Sequence, residues 1–351
     1  MQRIHVIRER DAMGHLHSCS YIRLQQPLTH PTIAQDVSVT FEDEQEPDTI
    51  DAAIIERLVF EQKFGMQDAL TMLAHFEKRD VPIIYTIDDN LLDLNRDPGI
   101  WHFPTEEQRA VLRLFATRAS GIIVSTDELA DRLSGLNNNI VVVPNQIDER
   151  HFTQPPARQA GDKVEIGYMG SATHLQDVLM ILQPLREFLY DNRDTVELEL
   201  VGVASANHIQ GMFGDLPVKH TLVPKAYAPY PKFAGWMLEN VQWDFAIAPL
   251  ARNSFSDCKS DLKILDYGIL GIPGIFSDVP SYHSTIRHGE NGMLAANEPQ
   301  AWRDTLQTLT DDAGLRAKLS DAISDEVWSN RTLAQQAKRW VEAVETIIKA
   351  A

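Results

Sequence analysis

Cysteine is nearly absent from this chain: Cys19 and Cys258 are the only two among 351 residues. Two cysteines cannot build the disulfide framework of a small secreted domain, and no His/Cys cluster has zinc-ligand spacing. Long apolar runs are also missing. No stretch of about 18 apolar residues is available to span a bilayer. The N-terminal residues 1–8 are too short and too charged for a secretory signal, and they read as a first strand. Positive charge is scarce. Lys and Arg number 32 against 50 Asp and Glu, for a net charge of −18. A nucleic-acid duplex would repel such a surface, which leaves room only for a local basic pocket around one phosphate group. The densest acidic run (Glu42, Asp43, Glu44, Glu46) reads as a solvated loop. A reducing, cytoplasmic setting fits these absences.

What is present is alternation. Strand signals fall at 4–7, 37–41, 52–60, 81–87, 121–124 and 139–143. Helix signals lie between them, through Tyr21, Leu24 and Leu28, then at 67–76, 105–120 and 125–133. The apolar, β-branched run 81–87 has the look of a strand buried on both faces. Thr105 and the acids after it open a helix in capping style. A Pro-, Gln- and Gly-rich linker at 153–161 marks the best domain boundary. The alternation then restarts, with strands at 164–168, 196–201, 219–223, 245–248 and 274–278. Helices are expected at 175–190, 233–240, 301–309, 313–327 and 332–348, the last with an amphipathic stripe. This predicts an α/β architecture of two parallel sheets, each covered on both faces. Ligands of such sheets sit beyond the carboxyl ends of the strands.

The stretch 253–280, NSFSDCKSDLKILDYGILGIPGIFSDVP, concentrates the chemistry. Lys259 and Lys263 stand four apart beside Ser260, and a helix-period run follows with Asp266 on its polar side. Gly271 and Pro273 end the helix before the next strand. A helix start carrying Lys and Ser is suited to an anion; a solvated helix face is the plainer reading. After the strand at 164–168, Gly170, Ser171 and His174 form a turn into a helix. There a phosphate could approach the backbone, although strand-to-helix turns use glycine for their own sake.

The order of these pieces resembles a known family. GYMGSATHLQD, then Pro249-Leu250 after a strand, then KSDLKILDYGILGIPGIFSDVP and HGENGML, is similar to the C-terminal domain of group 1 glycosyltransferases of the GT-B type, family 4-like and bacterial. YTIDDNLLDL, ASGIIVSTDELADRL and VVVPNQID resemble the acceptor-side domain of the same enzymes. The resemblance implies a GT-B fold, with two facing Rossmann-like domains and a cleft between them. It places an acceptor-side domain at 1–153, a nucleotide-sugar-binding domain at 162–330, and a last helix at 331–351 that crosses back to the first domain.

It also implies roles. Lys259, Ser260 and Lys263, with Gly170, Ser171 and His174, would hold the donor diphosphate, and Asp266 would accept hydrogen bonds from the nucleotide ribose. Asp88 and Asp89 take the places of a His-Asp pair at the reacting centre; two acids capping a loop are the alternative. Gly14, His15 and Arg23 are acceptor or loop candidates, with Arg57 a further one. Tyr230, Phe233 and Trp236 would wall the base or simply pack. The chain departs from the family at Cys258, where many relatives carry a sugar-contacting glutamate, and in the Gly-loop, where Ser171 and His174 replace an Arg and a Lys. The implied activity is a metal-independent, retaining transfer from a UDP-, GDP- or dTDP-sugar to a glycan or lipid-linked acceptor in polysaccharide or cell-envelope assembly. The nucleotide sugar is then a substrate, and no cofactor is expected. The implied location is the cytoplasm or the inner face of the membrane. A non-catalytic relative that binds a nucleotide sugar or glycan as an assembly subunit, and a sugar-nucleotide epimerase of similar fold, are the readings from other classes.

Overall fold

The computed structural model describes residues 1–10, 14–58, 64–94, 104–153 and 161–351. Most of the linker read at 153–161, the end of the strand read at 52–60, and part of the first loop lie outside the described residues. The chain forms two compact units. The first comprises Met1–Asp148, Asn253–Ser260 and Thr332–Ala351; the second comprises Glu149–Arg252 and Asp261–Arg331.

The first unit holds a six-stranded sheet of β1 (Gln2–Ile7), β2 (Val37–Phe41), β3 (Ala52–Glu56), β4 (Ile83–Ile87), β5 (Gly121–Val124) and β6 (Ile140–Val142). The order is β2-β1-β3-β4-β5-β6, with every pair parallel. β3 and β4 are buried along their whole length, as their apolar sequences require of central strands covered on both faces. One face packs against the helices Met66–Glu77, Glu106–Arg118 and Asp127–Leu133, through Leu73, Phe76, Leu112, Phe115, Leu129 and Leu133. The other packs against Lys338–Ala350, whose Trp340, Val341, Val344 and Ile347 recur at helical spacing. Burial of such side chains stabilises by roughly 1.5–3 kcal/mol each. Thr105 caps its helix by accepting from the Gln108 N–H at 3.2 Å, and Gln108 returns the bond, so Gln108 rather than Glu106 or Glu107 completes the capping box. The segment through Tyr21 is not a regular α-helix, because Tyr21–Gln25 is wound as a π-helix.

The second unit repeats the plan with β7 (Val164–Met169), β8 (Val196–Val201), β9 (Val218–Thr221), β10 (Phe245–Ala248), β11 (Gly274–Ser277) and β12 (Met293–Ala295), in the order β12-β11-β10-β7-β8-β9. The single helix expected over 175–190 is two, Leu175–Met180 and Leu182–Asp191, broken at Ile181. Pro184 explains the break, since it has no N–H to donate back and its ring clashes with the carbonyl four residues earlier. Gly167 in mid-strand has a packing reason. A Cβ there would lie 1.6 Å from the Trp243 ring, so only glycine admits that indole. Among the described residues no helix is long and apolar enough to cross a membrane.

Candidate active site

In the second unit the strand order reverses between β7 and β10, and the ends of these two strands carry the polar groups. Gly170 follows β7, and its N–H donates to the Val201 carbonyl at 3.1 Å. Beyond β8, Gly202 adopts φ +75°, and a Cβ there would sit 2.9 Å from the Gly170 oxygen. The two turns are therefore in backbone contact, which a side chain would block. Ser171 precedes a 3₁₀ turn, Ala172–His174. The His174 Nδ1 lies 2.9 Å from Asp177, whose other oxygen accepts the Ala251 N–H at 3.1 Å. Asp177 thus ties the loop after β7 to the loop after β10. Leu250 in that second loop is fixed by Ser277 at 2.8 Å and by Asn297 at 2.9 Å.

Lys263 reaches the same strand end. Its Nζ donates to the Met169 carbonyl at 2.6 Å and lies 4.6 Å from the centre of the Tyr168 ring. Asp266, one turn further along Leu262–Ile269, is buried and accepts from the Tyr230 hydroxyl at 3.1 Å. Burial lifts its carboxyl to about 6, against the opposing pull of Tyr230 and Lys263. Phe233 and Trp236 stack on each other at 5.8 Å, with Trp236 buried. The helix does not begin at Lys259. Its first residue is Leu262 and its N-cap is Asp261, whose carboxylate is taken by Arg331 at 2.7 and 2.9 Å and by Thr285 at 2.7 Å. Lys259 and Ser260 therefore precede the first turn, and of the two lysines only Lys263 stands on the helix.

Lys259 and Ser260 belong to the first unit, within the segment Asn253–Ser260. Three loops at the carboxyl end of the first sheet hold that segment. Asn90 donates to the Ser254 carbonyl at 2.8 Å, Thr126 to the Cys258 carbonyl at 2.9 Å, and Asn145 to the Ser260 hydroxyl at 2.8 Å. Cys258 is buried in the first unit's core, its thiol pushed up to about 11 by burial. The Lys259 Nζ lies 3.7 Å from Asp89 and 4.7 Å from the centre of the Phe255 ring.

Asp88 is held elsewhere. Arg57, after β3, spans Glu9 at 2.8 Å and Asp88 at 3.1 Å. The Glu9 N–H donates to Glu56 at 2.7 Å, and Ser20 also bonds Glu56 at 2.6 Å. Burial alone would raise the Asp88 carboxyl, but Arg57, a hydrogen bond from Cys19, and Arg23 hold it below the usual carboxylate range. Burial lifts Glu56 to about 7, with Glu9 adding to the rise and Arg57 opposing it. Arg23 is buried, bonds the Val143 carbonyl and Asn145, and lies over Trp340 at 4.9 Å. Its guanidinium braces the π-helix against the last helix. Gly14 is at φ +82°, with its carbonyl bonded by Arg10 at 2.9 Å, and His15 is exposed.

The candidates thus fall into two groups. Gly170, Ser171, His174, Lys263 and Asp266 gather in the second unit. Asp88, Asp89, Lys259, Ser260, Gly14, His15 and Arg23 lie in the first. Asp177, Ser277 and Asn297 escape a reading of the sequence. They are ordinary polar residues, and the partners that tie the loops together (Ala251, Leu250 and Ser277) are distant along the chain.

No family model and no curated protein matches this chain in sequence. Solved structures match it in fold. Sucrose-phosphate synthase from Thermosynechococcus elongatus superposes with a TM-score of 0.69 at 12% identity, covering 100% of each chain. HepE from Anabaena, in complex with UDP and glucose, gives 0.66 at 13% identity over 98% of this chain and 100% of that one. TarM gives 0.62 at 13% identity; 83% of this chain is covered, and it spans 54% of TarM's length. Two Rossmann-like units, each with a six-stranded parallel sheet, define the fold of the GT-B glycosyltransferases, and this chain has that fold.

Proposed function

We propose that this protein transfers a sugar from a nucleotide-sugar donor to a glycan or lipid-linked acceptor in polysaccharide or cell-envelope assembly, with retention at the anomeric carbon and without a metal ion. The observation that carries the reading is Lys263, which brings its ammonium to the Met169 carbonyl at the end of β7, beside the Gly170 turn. A departing nucleoside diphosphate gathers negative charge as the glycosidic bond breaks. A cation already fixed at that point stabilises the transition state more than the ground state. Asp266 would accept from two vicinal ribose hydroxyls, exchanging its bond from Tyr230 for bonds from the ligand. On the acceptor side, Asp89 beside Lys259 would orient the attacking hydroxyl, and Asp88, held ionised by Arg57, would stabilise positive charge at the anomeric carbon. The base is one of uracil, guanine or thymine.

The test is binding and turnover with a panel of UDP-, GDP-, dTDP- and ADP-sugars, for the wild type and Lys263→Ala. The variant should bind the preferred donor at least about tenfold more weakly, equivalent to about 1.4 kcal/mol. Unchanged donor binding would overturn the diphosphate assignment. Cys258 favours a second reading, a donor-binding subunit without catalysis, because the place of the family's sugar-contacting acid is occupied by a buried thiol. Binding without turnover for every donor and a broad acceptor set would establish that reading instead.

A further inference from the structure

Among the described residues, the first sheet has part of one face without a helix of its own. β1 and β2 are joined by helical turns on the side of Ile4, Val6 and Val37, which pack with the last helix. Right-handed crossovers put the three helices after β3, β4 and β5 on the opposite side. The connection from β2 to β3, residues 42–51, contains no helix. Among the described residues, β1 and β2 therefore end in an uncovered corner on the second face, beside the Met66–Glu77 helix. The sequence has adapted to it. A strand buried on both faces reads as a continuous apolar run, yet β1 places His5 there and β2 places Thr40. The two side chains bond at 2.9 Å.

This corner is a pocket of about 590 Å³, within the range of small-molecule sites. His5 and Ile7 of β1 line it. Thr71, Met72 and His75 of the Met66–Glu77 helix line it as well, together with Phe64. Its outer wall is braced: Glu46 is bonded by His75 at 2.9 Å and by Arg79, which also donates to the Pro47 and Asp48 carbonyls at 3.2 and 3.1 Å. A second depression of about 550 Å³ shares Thr71 and His75 and continues along the helix. The pocket offers imidazole, hydroxyl and carboxylate partners beside phenyl and thioether surfaces. Of the described residues lining it none is Lys or Arg, while Glu46 and Asp68 are acids. Lys78 and Arg79, the latter paired with Glu46, line the adjoining depression, so the charge around the two is mixed rather than basic. Burial lowers the His5 imidazole below its ordinary value, so that ring stands neutral.

We infer that this pocket is a binding subsite for a neutral oligosaccharide, the acceptor glycan or a stretch of it remote from the reacting hydroxyl. The inference rests on the reading of the protein as a glycosyltransferase, and it names a surface of the first unit on which the acceptor lies. Polar hydrogen-bonding groups flanked by apolar rings match a sugar, whose hydroxyls lie at its edge and whose C–H groups lie on its faces. The adjoining depression gives room for more than one residue.

The experiment is an NMR titration of the full chain, without donor, following the imidazole resonances of His5 and His75. The probes are cellotriose, maltotriose and chitotriose, with glucose 6-phosphate as the anionic comparison. At least one neutral trisaccharide should shift both rings at millimolar concentration. Thr71→Arg, an exposed helix position that fills the mouth, should weaken that binding about tenfold or more with an unchanged circular dichroism spectrum. His75→Ala, which leaves the helix backbone intact, should weaken it several-fold. The inference is overturned if no neutral trisaccharide shifts the two rings, if both variants bind as wild type, or if glucose 6-phosphate binds more tightly than the neutral sugars. Since no donor is present, these outcomes are independent of whether the protein turns a donor over.

Discussion

At the reversal of strand order in the first sheet, the ionisable side chains are already joined to one another: Arg57 spans Glu9 and Asp88, and Glu56 holds the Glu9 N–H. At the reversal in the second sheet, the strand end presents a lysine lying on a backbone carbonyl, a glycine turn, and a carboxylate that accepts from a tyrosine hydroxyl. Both sheets are parallel and six-stranded and reverse their strand order once, at different places in the order, and the chemistry at the two reversals differs. The first site is preorganised, its charges fixed by mutual pairing at the cost of removing them from water. The second keeps bonds that a ligand can replace. The transfer proposed above calls for one site of each kind.

Three measurements would break or sharpen that contrast. The largest effect is expected at position 258. Cys258→Glu supplies the acid that the family pattern favours, but the side chain would enter the first unit's apolar core. We expect a loss of about 4 kcal/mol or more from a buried, unpaired carboxylate with no room to spare, read from chemical denaturation. A stable Cys258→Glu protein with increased donor turnover would show that this position faces the sugar after all. Next is Arg57→Met, which keeps the bulk and removes the charge. With Glu9 left buried and Asp88 half-buried without their shared partner, stability should fall by about 3–5 kcal/mol; a fall below about 1 kcal/mol would show that the pairs contribute little. The smallest concerns pH. The folded-state value of Glu56, about 7, lies above its ordinary value of 4.5. Between those values the folded state keeps a proton that the unfolded state releases, so its contribution is present below the window and is lost as pH rises through it. Glu56→Gln should flatten this part of the stability curve, by on the order of 3 kcal/mol across the window. Asp266→Asn should do the same over the shorter interval ending near 6. An unchanged slope in Glu56→Gln would show that the carboxyl titrates normally.

The strands were the most legible part of the chain. The runs at Val37–Phe41, Gly121–Val124, Val196–Val201 and Phe245–Ala248 are bounded in the structure as in the sequence, because β-branched residues between turn formers leave little choice. The three-residue β12 is absent from the sequence reading, being too short to show a period. Gly167 opens the run GYMGSATHLQD, and its bareness serves Trp243, a partner far along the chain. Lys259 and Lys263 looked like one anion site because helical spacing aligned them. What separates them is the carboxylate of Asp261, fixed by Arg331, which sets where the helix begins. Arg331 and Asp261 lie too far apart in sequence for local pattern to connect them.

The segment Asn253–Ser260 has a consequence for modularity. It lies between β10 and β11 in sequence, yet Asn90, Thr126 and Asn145 of the first unit hold it. Recombination between relatives at a single crossover near residue 150 would pair this inserted strip with a foreign platform, leaving Phe255 and Cys258 to pack against side chains selected for another strip. An exchangeable half of this protein is not a contiguous stretch of gene. It is a patchwork whose parts must be inherited together, and variation at 90, 126 and 145 should track variation at 254–260.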